Sequence, residues 1–126
     1  MVDTRTACIV LGVVFILVGL LGFIPNPLVS ADGIFAVNAA HNLVHIVTGI
    51  ALLIGAMALN QSQLTLRVVG IAYVLVAILG FFSGDMLLGF IHMNAADRWL
   101  HVLLAIILIA AGWMLPLSAE RPLRTS

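Results

Sequence analysis

The sequence predicts an all-α integral membrane protein, a four-helix bundle made of two tandem transmembrane helical hairpins related by a pseudo-twofold axis along the membrane normal. Three observations predict it. Of 126 residues, 63% are hydrophobic and 8% charged, giving a mean hydropathy of +1.27. The apolar residues fall into four runs, each near the roughly 20 residues that cross a bilayer. The two halves of the chain also repeat each other. Residues 1–126 read as one membrane domain with internal repeats over 7–59 and 66–117. Such a composition excludes a soluble enzyme domain, and five arginines against five acids leave no basic field for nucleic acid.

Residues 7–24 carry no charge and form the first span. Arg5 precedes it, but the run is long and ends in Pro25 and Pro27 without a small-residue cleavage pattern, so it reads as a retained helix rather than a signal peptide. Residues 25–37 (PNPLVSADGIFAV) are a semi-apolar outer loop. Asn38 follows as the N-cap of the second helix, whose apolar run over 43–59 is interrupted by His45 and Thr48. Residues 60–66 (NQSQLTL) read as a plain polar turn. The third run, 68–82, is short, and Arg67 at its start extends its stem to the interface. Residues 84–93 (GDMLLGFIHM) form a second semi-apolar loop, which with the first is expected to fold over the helix ends as a lid. Asn94 caps the fourth helix; Asp97 is expected to complete a capping box and meet the positive end of the helix dipole. The last run, 99–117, carries Trp99 and Trp113, about 21 Å apart along a helix and suited to anchor opposite interfaces. Asn42 and Arg98 are expected to face headgroups or water, and the lone Cys8 to serve as a small packing residue.

Orientation follows from the arginines. Arg5, Arg67, Arg121 and Arg124 fall on one side of a four-span topology and Arg98 on the other, so both termini are expected in the cytoplasm.

The repeat aligns residues 9–24 (IVLGVVFILVGLLGFI) with 67–82 (RVVGIAYVLVAILGFF), matching Gly12, Gly19 and Gly22 to Gly70, Ala77 and Gly80. These small residues read as close-packing surfaces. Residues 38–45 (NAAHNLVH) likewise align with 94–101 (NAADRWLH). Because each unit has two spans, equivalent residues come to one depth. His45 and His101 then lie roughly 10 Å below their caps, where an ionisable group needs a partner. Residues four apart share a helix face, so His41 pairs with His45, and Asp97 with His101. Three imidazoles and one carboxylate are a ligand set for zinc, copper or iron; His92 is a further candidate. Below each deep histidine runs a lane of small and aliphatic residues, Gly49, Leu52, Ala56 and Ala105, Leu108, Gly112. That lane also admits a flat macrocycle, with His45 and His101 as axial ligands of a haem or another tetrapyrrole. Alternatively, the histidines hydrogen-bond across helices and fix the register of the hairpins.

The motifs N-x-x-H-N-x-x-H, on Asn38, His41, Asn42 and His45, and N-x-x-D-x-x-x-H, on Asn94, Asp97 and His101, each follow a span ending in LGFI or LGFF. In this the chain resembles small bacterial membrane proteins classed together as a domain of unknown function with four predicted helices. Arg98 stands where that family more often has Asn. The resemblance implies a bacterial cytoplasmic-membrane location and no established activity, substrate or cofactor. No Ser/His/Asp set, phosphate loop or H-E-x-x-H motif is present, so no enzyme is expected. The primary expectation is a non-enzymatic accessory or structural subunit of a membrane complex, with the bilayer and other subunits or a second copy as partners. A metal- or tetrapyrrole-binding module is the first alternative, and an oligomeric transporter or proton channel the second.

Overall fold

The computed structural model describes residues 1–119; Arg121 and Arg124, used above for orientation, lie outside the described residues. The architecture is all-α. Helix α1 spans Thr4–Leu21, α2 Ala39–Leu53, α3 Ser62–Gly80 and α4 Ala95–Met114, and a π-helical turn, Ile54–Ala58, prolongs α2. All four are long and apolar enough to cross a membrane. Helix α1 packs mainly on α2, and α3 mainly on α4.

Each helix buries a single narrow stripe. In α1 it is Thr4, Cys8, Gly12, Phe15 and Gly19; in α3 it is Ser62, Leu66, Gly70, Tyr73, Ala77 and Gly80. Those spacings of three and four mark one helical face. The remaining surface is aliphatic: Leu17, Val47, Val68 and Ile106 are among many large apolar side chains left exposed. An exterior this apolar needs lipid around it, whereas the buried residues of α2 and α4 include His41, Asn42, His45, Asp97 and His101. Polarity is therefore concentrated inside.

Helix boundaries differ from the apolar runs where local chemistry overrides hydropathy. Asp3 starts α1 four residues before the uncharged run, its carboxylate accepting from the Thr6 N–H at 2.7 Å; this bond holds its pKa below the ordinary carboxylate value. Gly22 ends that helix, and Pro25 and Pro27 keep the apolar residues beyond it out of helical geometry. The 60–66 segment is not a plain turn. Asn60 takes a left-handed conformation (φ 51°), which Asn tolerates, and α3 begins at Ser62. Arg67 therefore sits inside α3, where its Nε donates to the Gly112 carbonyl at 2.8 Å and its guanidinium lies 4.9 Å from the Trp113 ring centroid. Arg5 donates to the Ala56 carbonyl, the repeat equivalent of Gly112, at 2.7 Å.

The α1–α2 and α3–α4 loops hold short ladders. Strands β1 (Val29–Ser30) and β2 (Phe35–Ala36) pair in parallel; β3 (Met86–Leu87) and β4 (Ile91–His92) pair antiparallel. Each loop docks on the other hairpin: β2 contacts α4, and β4 contacts α2. The N-caps make the exchange reciprocal. Asn38 accepts from the His41 N–H and donates to the Phe90 carbonyl; Asn94 accepts from the Asp97 N–H and donates to the Ile34 carbonyl, all at 2.9–3.1 Å. Asn38→Ala is expected to cost about 1 kcal/mol through the lost cap. It should also raise amide hydrogen exchange across residues 84–93, because the Phe90 carbonyl loses its donor.

Candidate metal centre

The capped first turns of α2 and α4 carry the polar cluster. His41, His45, Asp97 and His101 are each 3% exposed or less. Rows four residues apart bring His41 and His45 to one face of α2, with Nε2 atoms 3.2 Å apart, and Asp97 and His101 to one face of α4. The faces meet: the His41 and His101 ring centroids are 5.2 Å apart, and those of His45 and His101 5.7 Å. Ligand atoms of the three histidines all lie within 4.8 Å of one another.

Hydrogen bonds define the protonation of two rings. His41 Nδ1 donates to the His92 carbonyl at 2.6 Å, and His101 Nδ1 donates to the Asp97 carbonyl at 2.9 Å. A carbonyl oxygen only accepts, so both protons sit on Nδ1, and in neutral rings each Nε2 is a bare lone pair. An outer N–H held by a carbonyl is the usual support of a metal-ligating histidine. Asp97 Oδ2 is 3.5 Å from His41 Nε2 and 3.4 Å from His101 Nδ1, and it has no hydrogen-bond partner. With the His41 proton on Nδ1, His41 Nε2 accepts the 3.2 Å bond from the His45 Nε2–H, so the group left unanswered in the cluster is Asp97 Oδ2, a buried acceptor among imidazoles.

An aromatic wall closes the inner side. Phe15 stands edge-on to His45 with centroids 5.5 Å apart, and Tyr73, its repeat equivalent, stacks parallel on His101 at 5.8 Å. Thr48 spends its proton on the Val44 carbonyl, so the Tyr73 hydroxyl donates to Thr48 Oγ1 at 3.1 Å.

Several expected positions differ. The Asp97 side chain makes no capping box; its carboxylate turns inward to the histidines of both helices, Oδ2 lying toward His41 and His101. Asn42 does not face headgroups. It is 2% exposed, packed where α1 has only Gly22, and a Cβ on Gly22 would lie 2.0 Å from Asn42 Oδ1. His92 enters through its backbone carbonyl, its ring lying outside the three-histidine group. Arg98 turns away to pair with Asp85. Phe15 and Tyr73 were missed as site residues, although they share one column of the repeat alignment; a backbone acceptor such as the His92 carbonyl leaves no trace in sequence.

A family model described as Domain of unknown function (DUF4383) matches residues 5–114. No curated protein and no solved structure matches the chain.

Proposed function

The chain belongs to this family of unknown function, and for it we propose a membrane-embedded metal-binding module in which His41, His45 and His101 hold one transition-metal ion beside Asp97. One observation carries the reading: the buried Asp97 Oδ2 has no partner and lies beside three histidines whose ligand atoms are all within 4.8 Å of one another. The 3.2 Å between His41 Nε2 and His45 Nε2 suits two nitrogens bound to a common ion at about 2.0–2.1 Å. Stacked Tyr73 and edge-on Phe15 occupy the space beside His101 and His45, which favours a bare ion over a haem or other tetrapyrrole. The role is binding rather than catalysis.

The module is a multi-pass protein of a bacterial cytoplasmic membrane, with both termini in the cytoplasm and the cluster near the outer face. The arginine asymmetry supports this orientation. The two hairpins are related by a pseudo-twofold along the membrane normal. Support comes from the reciprocal Asn38 and Asn94 bonds and from Arg5 and Arg67 donating to repeat-equivalent carbonyls.

Metal analysis of the purified full chain tests the function. The parent is expected to carry about one ion per chain, and His45→Ala and His101→Ala close to none, since removing one of three ligands from a buried site removes most of its affinity. Metal-free parent protein, unable to take up an ion on titration, would overturn the reading. The histidines would then be hydrogen-bonding groups that fix hairpin register, as in a structural or accessory subunit.

A further inference from the structure

Away from the histidine cluster, we propose that the seam between α3 and α4 binds one anionic phospholipid, with its phosphate on Arg67 and one acyl chain in the groove that the two helices leave open. The first argument is the groove itself. Its volume is about 710 Å³, and its walls include Ala77 and Phe81 of the α3 side and Val102, Ile106, Trp113 and Met114 of α4. Every lining side chain is aliphatic, aromatic or thioether. From Val102 to Met114 the groove follows α4 for about 18 Å, close to the depth of one leaflet in a hydrocarbon core roughly 30 Å thick. At its far end Phe81 meets Trp99 edge-on, with ring centroids 5.2 Å apart. That depth matches a single acyl chain, whereas a partner helix would cross the whole core and find a groove along only part of it.

The second argument is charge, which selects the headgroup. Arg67 stands at the Trp113 end, its guanidinium 4.9 Å from that ring centroid and its Nε donating to the Gly112 carbonyl at 2.8 Å. The stem lies against Gly112, where an added Cβ would come within 2.9 Å of Arg67 Cγ. These contacts fix the side chain and use neither Nη1 nor Nη2. Among the described residues, those two nitrogens make no hydrogen bond and no carboxylate pairs with Arg67. Arg5 differs, because its Nη1 already donates to the Ala56 carbonyl at 2.7 Å and to Asn60 Oδ1 at 3.1 Å. A planar guanidinium with free donors suits phosphate oxygens. Held at the mouth of an apolar groove between transmembrane helices, it recognises a negatively charged lipid headgroup.

The test titrates the purified full chain in micelles with phosphatidylglycerol and with phosphatidylcholine of the same acyl chains, and counts bound lipid by native mass spectrometry. One phosphatidylglycerol per chain is expected, bound about fivefold more tightly than phosphatidylcholine, the effect of one cation near a membrane surface. Added salt should shrink that preference. Arg67→Gln should bind the two lipids equally. Arg5→Gln, which removes the same charge from a guanidinium committed to Ala56, should keep the preference. Ala110→Trp, which puts an indole into the groove wall, should weaken both lipids. Equal affinities in the parent at low salt would overturn the proposal without any variant having to fold. A preference unchanged in Arg67→Gln would overturn the headgroup site, and undiminished binding by Ala110→Trp the acyl-chain site. Chains that pair through this seam and bind no lipid would make a second copy the occupant and overturn it as well. Each of these outcomes leaves the metal centre as it stands.

Discussion

Gly49→Ala is expected to destabilise the bundle by about 3 kcal/mol, the upper part of the usual range for forcing extra volume into a packed core. A Cβ at this position would lie 2.5 Å from the Gly12 carbonyl oxygen, 2.6 Å from Ile16 Cγ1 and 2.9 Å from the Ile16 backbone nitrogen. Two of those three atoms are backbone, so no rotamer change relieves the clash and α1 and α2 must separate. The approach is mutual, since a Cβ on Gly12 would meet the Gly49 carbonyl at 3.0 Å. Without water to drive apolar surfaces together, close packing is a main source of helix association in lipid, which makes loss of this contact costly. The repeat equivalent of Gly49 is Ala105, which is buried; the second hairpin therefore accommodates a methyl group at the corresponding position. Ala105→Gly should cost only about 1 kcal/mol, from helix propensity and a small void. Denaturant titration of the two variants in micelles, followed by circular dichroism, checks the contrast. Equal losses would show that interhelical approach is not what distinguishes them.

Saturating the cluster with its ion is expected to stabilise the protein by about 4 kcal/mol when the free ion stands at 1,000 times its Kd. Of the proposed ligands, His41 and His45 come from α2 and His101 from α4, so a bound ion would join elements of both hairpins and would have no comparable site in the unfolded chain. Thermal unfolding in micelles with zinc(II) present and absent measures the gain. His101→Ala should show none of it, and chelation should return the parent to its ion-free midpoint. In the ion-free protein the same variant removes the imidazole that stacks on Tyr73. Its own destabilisation is therefore measured separately, and the comparison is the difference between ion-bound and ion-free midpoints within each protein.

Much of this architecture was legible in the sequence, for identifiable reasons. Four apolar runs gave four helices because length and hydropathy alone decide whether a helix can span. Asn38 and Asn94 cap as expected because an Asn before an amphipathic run has one favourable local use. The convergence of His41, His45, Asp97 and His101 was readable from i,i+4 spacing together with the repeat. Local rules failed where a partner distant in sequence decides the outcome. Whether Asp97 turns to its own cap or to the histidines depends on α2, and whether Asn42 is buried depends on the absent side chain of Gly22 across the helix pair. The start of α3 at Ser62 was hidden because its first turn is polar, and a hydropathy run registers apolar residues rather than helical ones.

The crossed loop contacts bear on whether either hairpin is complete by itself. Either hairpin alone would leave its capping Asn side chain without the loop carbonyl that answers it, since each cap is met by the loop of the other half. The two halves are thereby locked to each other above the helices, and the lock is not fully symmetric at the cluster: the position that is histidine at 41 is aspartate at 97.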